Sequence, residues 1–343
     1  MSKKLLKFQI ILDRESVLYL PGQVLAGRVL LETQENTAVL GLYFHVLGES
    51  TVHIPTRGPR LRDDTYDKEN YIDFRMKLLD DFDGKPILLS PGVHCFPFKL
   101  GLPVSLPSTF IGQHGWIQYY CKTSLRESSG ITHKNQQVFL VLNPIDLNLE
   151  DPILSDPLEA SVNHRVGVGV LGGTVRCNVG LDRRAYVPGE NILLTGETYN
   201  RSNVTIKSVK YALVETIQYF AHGKLMHQER RELASVVRNR IKSGSRDVLQ
   251  NAHLVVPPLP PTNLLGCHLI RIQYSVCILI EPNLMERQVA LRVPITLGTY
   301  PFRRLSDKDE DDEDNLQHWV ENYVHYPATL PVSRALTAGG EGQ

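Results

Sequence analysis

The chain has 343 residues, 42% of them hydrophobic and 22% charged, which is enough for about two domains of ~150 residues with a core each. That excludes a small stapled module and a disordered polymer. Lysine plus arginine and aspartate plus glutamate both total 37, so no net charge pulls the molecule toward polyanions, and no nucleic-acid partner is expected. The charge is unevenly spread: nine acids and three bases follow Arg303, leaving −6 on the tail and +6 on residues 1–303.

Short runs of alternating apolar and polar residues, separated by Pro, Gly, Asn and Asp clusters, follow the chain from its start. Each predicts a half-buried strand. In order they are Leu5 to Leu12, Gln23 to Glu32, Val39 to Leu47, Tyr71 to Leu79, Val93 to Leu100, Trp116 to Arg126 and Val138 to Leu142. After a stretch rich in Asn-Pro and Asp-Pro, near 143–161, the pattern resumes with Thr174 to Leu181, Asn191 to Tyr199, Thr205 to Tyr219, Leu269 to Ile280 and Gln288 to Leu297. No long helix is predicted before residue 304. Leu40, Leu42, Phe44 and Val46 are expected between two sheets, as are Ile272, Tyr274, Val276 and Ile278, with Arg271, Gln273 and Ser275 facing outward.

The two halves resemble each other. Tyr19-Leu-Pro-Gly-Gln-Val-Leu25 returns as Tyr186-Val-Pro-Gly-Glu-Asn-Ile192, Leu106-Pro-Ser-Thr109 as Leu259-Pro-Pro-Thr262, and Ile117-Gln-Tyr119 as Ile272-Gln-Tyr274, in the same order. Two copies of one β-sandwich are the economical reading. The expected limits are 1–145 and 161–302, with a linker at 146–160 and an acidic, disordered tail at 303–343.

Chemistry has little support. Gly167-Val-Gly-Val-Leu-Gly172 matches a dinucleotide-binding string, but a strand pattern follows where a helix is needed. No zinc, phosphate-loop or calcium motif is present, so neither metal nor cofactor is expected and catalysis is not predicted. The five cysteines form no CxxC pair, and Cys267 and Cys277 would sit roughly 33 Å apart on a regular strand, so they cannot bond to each other. The start lacks an apolar core long enough for a signal peptide, and Leu264 to Ile280 is too polar for a membrane span. A cytoplasmic protein is expected.

Binding has more support. Seven bases against two acids lie between Lys224 and Arg246. Arg230, Arg231, Arg238, Arg240, Lys242 and Arg246 form either a site for phosphorylated or acidic segments or a solvated hairpin. Lys3, Lys4 and Lys7 on the first strand are weaker candidates. Pro257-Pro-Leu-Pro-Pro261 can serve as a polyproline ligand, although its counterpart Pro103 to Pro107 favours a structural edge. In the tail, Ser306 follows Arg303-Arg-Leu and suits a basophilic kinase. Residues 315–325 fit a short amphipathic helix whose stripe of Leu316, Trp319, Val320, Tyr323 and Val324 is a candidate partner-binding surface.

These turn strings, with Leu265-Gly-Cys-x-Leu-Ile-Arg-Ile-x-Tyr-Ser275, give residues 5–300 a resemblance to the α-arrestins, the arrestin domain-containing proteins that include thioredoxin-interacting protein. The resemblance implies an all-β fold of two tandem immunoglobulin-like sandwiches. It also implies a non-enzymatic adaptor that joins cytosolic segments of membrane proteins to HECT-type ubiquitin ligases and endocytic sorting, with recruitment to the plasma membrane or endosomes. A retromer-like arrestin-fold coat subunit is the competing expectation. Two departures stand out. The tail has no PPxY motif for WW domains, its nearest string being His325-Tyr-Pro-Ala328. Ile241-Lys-Ser-Gly-Ser-Arg246 carries no thiol where the thioredoxin-binding relative has one, so no mixed disulfide with thioredoxin is expected.

Overall fold

The structure, a computed structural model, describes residues 5–14, 16–55, 64–80, 85–166, 172–282 and 288–303. Most of the GxGxxG string, Lys3, Lys4, Ser306 and the tail stripe of Leu316, Trp319, Val320, Tyr323 and Val324 lie outside the described residues.

The first half contains β1 (Leu5–Leu12), β2 (Leu18–Tyr19), β3 (Val24–Thr33), β4 (Thr37–Ile54), β5 (Thr65–Asp80), β6 (Ile87–Leu89), β7 (Gly92–Gly101), β8 (Phe110–Ile111), β9 (Gly115–Glu127) and β10 (Thr132–Val141). The second contains β11 (Leu158–Val166), β12 (Gly173–Leu181), β13 (Ala185–Tyr186), β14 (Asn191–Asn200), β15 (Ile206–Ala221), β16 (Lys224–Ile241), β17 (Arg246–Val255), β18 (Ile270–Pro282) and β19 (Gln288–Leu297). A 3-10 turn at Pro152–Ser155, capped by Asp151, interrupts an otherwise all-β chain among the described residues.

Each half forms two sheets. In the first, β1-β3-β7 faces a sheet running β2-β10-β9-β4-β5, with β6 beside β4 and β8 beside β9. In the second, β11-β12-β14-β17 faces β13-β19-β18-β15-β16. The strand orders superimpose, β1-β3-β7 on β12-β14-β17 and β2-β10-β9-β4-β5 on β13-β19-β18-β15-β16. The strand β11 is then an addition on the outer edge of β12 that has no equivalent beside β1 among the described residues.

The duplication extends to single hydrogen bonds. The hydroxyl of Tyr119 donates to the Pro107 carbonyl at 2.6 Å, and that of Tyr274 to the Pro260 carbonyl at 2.9 Å. The Val141 amide donates to Thr109 Oγ1 at 2.9 Å, and the Leu297 amide to Thr262 Oγ1 at 2.7 Å. In the Pro-Gly turns, Gly22 at φ 81° and Gly189 at φ 88° take the left-handed conformation that glycine tolerates best. Beside them Gln23 accepts from the Leu20 amide and Glu190 from the Val187 amide. The proline string is thereby placed: Leu259 and Pro261 are buried, and the segment leads into the second sandwich instead of lying open for a WW or SH3 groove.

Ile272, Tyr274, Val276 and Ile278 are buried as expected, with Arg271 and Gln273 exposed. Leu40 is a correction. A register shift between Val39 and Gly41 inserts a bulge into β4, so Val39 and Leu42 point inward and Leu40 is half-exposed. One extra residue reverses the face of whatever precedes it. Beyond the bulge, Phe44 and Val46 are inside, and Phe44 stacks on Phe98 of the facing sheet with ring centroids 4.1 Å apart.

Candidate functional site

The basic segment is an edge strand. The strand β15 returns as β16 through Ala221-His-Gly-Lys224, where His222 (φ 51°) and Gly223 (φ 73°) both have positive φ, the requirement of a tight two-residue hairpin turn. From there β16 runs 18 residues along the rim of its sheet, hydrogen-bonded on one side to β15.

Register matches half of the candidate bases to carboxylates. Arg231 donates through Nε and Nη2 to Glu215 on β15 at 3.0 Å each. Arg238 makes a two-pronged pair with Asp247 on β17, both contacts at 2.9 Å, and Arg246 reaches Glu197 on β14 at 2.7 Å. These hydrogen bonds raise the guanidinium pKa values of Arg238 and Arg246, and the Arg246 contact holds Glu197 below the usual carboxylate range. Arg230, Arg240 and Lys242 have no carboxylate within ion-pair distance among the described residues. They do not form one patch, since ten strand positions, roughly 33 Å, separate Arg230 from Arg240. Lys7 is exposed on β1, in the other sandwich.

Between the sandwiches lies a cavity of about 560 Å³. Ser108 to Gln113 line it from the first half, and Glu215, Ile217, Glu229 to Arg231 and Pro258 to Pro261 from the second. Sequence reasoning missed this site, because its walls come from segments more than 100 positions apart. Glu215 is 2% exposed, and burial lifts its pKa against the lowering effect of Arg231 and of the Tyr274 hydroxyl, which donates to it at 3.3 Å.

The joint around this cavity is polar and close-fitting. The Tyr219 hydroxyl donates to Glu229, and a side chain added at Gly112 would place its Cβ 2.3 Å from that hydroxyl oxygen. The His114 ring meets His227 edge-on at 4.4 Å. Farther along, the His268 amide and ring Nδ1 contact Glu69 at 3.0 and 2.6 Å, and the His222 amide donates to Asp67 at 2.7 Å. Gly112→Val is therefore expected to wedge the sandwiches apart, increasing the radius of gyration in small-angle scattering while near-ultraviolet circular dichroism keeps the signature of packed cores.

Burial pushes the Cys121 thiol up to about 12 and the Cys177 thiol up to about 11, which makes both poor nucleophiles. In the turn from Lys242 to Ser245, the Ser243 and Ser245 hydroxyls donate to the Ser202 and Lys242 carbonyls at 2.6 Å each.

The profile for the arrestin (or S-antigen) N-terminal domain matches residues 8–148, and that for the arrestin C-terminal domain matches 172–302. Mouse arrestin domain-containing protein 4 is 31% identical over 300 residues, covering 84% of this chain and 71% of the relative, and the human protein is 30% identical, covering 87% and 72%. Pig thioredoxin-interacting protein is 27% identical over 87% of this chain and 76% of its own. Two matched arrestin domains, the doubled strand order and the shared hydrogen bonds of the repeat make this chain a member of the arrestin family, within the α-arrestin group of arrestin domain-containing proteins.

Proposed function

We propose that the protein is a non-enzymatic adaptor that binds extended cytosolic segments of membrane proteins and brings them to endocytic sorting and ubiquitination machinery. The observation that supports this best is the open edge of β1. Its counterpart β12 is covered by β11 in antiparallel register from Leu158 opposite Leu181 to Val166 opposite Gly173, whereas among the described residues β1 pairs with β3 alone. The Ile10 amide turns away from β3 and donates to the Asn135 side chain at 3.3 Å, so the backbone toward Leu5 is the accessible part. A peptide strand adding there gains main-chain hydrogen bonds, and Lys7, with Lys3 and Lys4 before it, favours an acidic or phosphorylated one.

In this reading Arg240 with Lys242, and at a distance from them Arg230, are further contacts for acidic cargo, and Ser306 is a phosphosite in the tail. The stripe of Leu316, Trp319, Val320 and Tyr323 takes over ligase docking in place of PPxY. Fluorescence anisotropy with a phosphorylated receptor-tail peptide tests the edge. Leu6→Pro, at the exposed bulge residue of β1 that has no register partner on β3, is expected to weaken binding at least tenfold, and Lys7→Ala to weaken it in a salt-dependent way. Unchanged affinity in both variants would remove the edge from the mechanism. Proximity labelling that recovers coat subunits and no ligases or receptor tails would favour the retromer-like alternative.

A further inference from the structure

The outer face of the sheet β10-β9-β4-β5 carries a group of cations that chain order hides. One row across it reads Lys134, Ser124, Tyr43, Lys77, and the next reads Gln136, Lys122, His45, Arg75. A third row reads Thr132, Arg126, Gly41, Asp80. Successive strand residues alternate faces, so these side chains stand opposite the buried Leu42, Phe44, Thr123 and Leu125. Residues up to 91 positions apart thus share a surface four strands wide, about 14 Å across.

The charges there are only partly compensated. Asp73 accepts from His45 at 2.6 Å and Arg75 at 3.2 Å, offsetting one cation. Among the described residues Lys122, Lys134 and Arg126 form no ion pair. Lys122 lies over the Tyr120 ring at 4.7 Å and Lys77 over the Tyr43 ring at 5.9 Å, which flattens both along the sheet. Burial holds the Lys122 ammonium below its ordinary pKa, with Glu49 opposing and the neighbouring charges of Lys68 and Lys134 adding to the depression. A nearby anion would relieve that repulsion.

We propose that this face seats the protein on an anionic phospholipid membrane. Geometry selects a membrane over other polyanions. The cations spread in two dimensions over a sheet, not along a groove. The strands β9 and β4 are paired on both sides, so this face offers a peptide no free backbone. Tyr120 is buried and Tyr43 lies under Lys77, so the rings among these cations are not open for the bases of a single-stranded nucleic acid to stack on. The contacts with the second sandwich sit at the other end of these strands, on Ser50, Asp67 and Glu69, and leave this end clear.

The test is co-sedimentation of the full chain with vesicles of phosphatidylcholine alone or with roughly a third phosphatidylserine. Each cation near such a surface changes partitioning about fivefold. Wild type is expected to sediment with the phosphatidylserine vesicles and to be released by salt. Lys122→Gln, Lys134→Gln and Arg126→Gln together should lower partitioning roughly a hundredfold. Lys134→Glu with Arg126→Glu, which spares the half-buried Lys122, should do at least as much, and Lys207→Gln, which removes an ammonium paired with Glu281 in the second sandwich, should leave it unchanged. Equal sedimentation with both vesicle types, or a triple variant that matches wild type, would overturn the proposal, as would tight binding of an oligonucleotide or phosphopeptide without vesicle binding. Protein-free vesicles contain no cargo, so failure here is distinguishable from failure of the adaptor reading.

Discussion

Truncating Leu42 to alanine is expected to lower the unfolding free energy by about 2–5 kcal/mol, and truncating Leu40 two positions earlier by about 1 kcal/mol or less. Leu42 is fully buried between the sheets of the first sandwich, near the stacked Phe44 and Phe98. Deleting its side chain removes the transfer energy of three carbons and leaves a cavity that close-packed neighbours cannot fill. Leu40 has the same chemistry and, by simple alternation, the same face. The bulge between Val39 and Gly41 turns it outward, so its loss opens no enclosed void. Urea unfolding of the two variants measures the difference. Equal destabilisation would mean that β4 runs without the bulge, and every residue before Leu42 would then change face.

Replacing Arg231 by alanine is expected to destabilise the second sandwich by about 2 kcal/mol near neutral pH, with the cost shrinking as the solution is acidified. Glu215 is nearly inaccessible, and its carboxylate loses a partner that donates twice. Leaving a buried charge unpaired costs more than that in a dry interior. The figure is reduced because the Arg231 side chain is 65% exposed and water reaches it. The sign follows from the raised pKa of Glu215. A carboxyl whose pKa is higher folded than unfolded makes the native state bind more protons, so stability falls as pH rises from the unfolded value toward the folded one. Removing Arg231 raises the folded value further and steepens that slope. Chemical denaturation at about pH 5 and about pH 8 measures it, and adding Glu215→Gln should abolish the pH dependence while restoring part of the stability. A variant as stable as wild type at both pH values would show that the Glu215 and Arg231 pair does not support the cavity wall.

Several elements of this chain were legible without a structure because they depend on local periodicity. Alternation along Leu269 to Ile280 identified the buried face of β18, and the two Tyr-x-Pro-Gly strings and Leu-Pro-x-Thr strings revealed the duplication that the hydrogen bonds of Tyr119 and Tyr274 repeat. Edge strands were harder. The strand β16 was legible only as one of two readings, a solvated hairpin, and β11 and β17 were not foreseen, because a rim strand meets solvent along one border and can carry Arg230, Arg231 and Arg238 where an interior strand needs apolar residues. The bulge at Leu40 was also hidden, since an inserted residue is defined by the partner strand and has no composition of its own.

The candidate surfaces divide in the same way. Sequence proximity grouped the bases from Lys224 to Arg246, but register matched Arg231, Arg238 and Arg246 to carboxylates on β15, β17 and β14 and set Arg230 far from Arg240. The same rules of pairing assembled Lys122, Lys134, Arg126 and Lys77 from three strands into one face that no window along the chain contains. Local alternation thus determined the β-sandwich and its repeat, because side-chain direction in a strand reverses at every residue. Which charges are neutralised, which are exposed together and what lines the cavity was decided by the tertiary structure, because electrostatic energy depends on distance in space and not on separation along the chain.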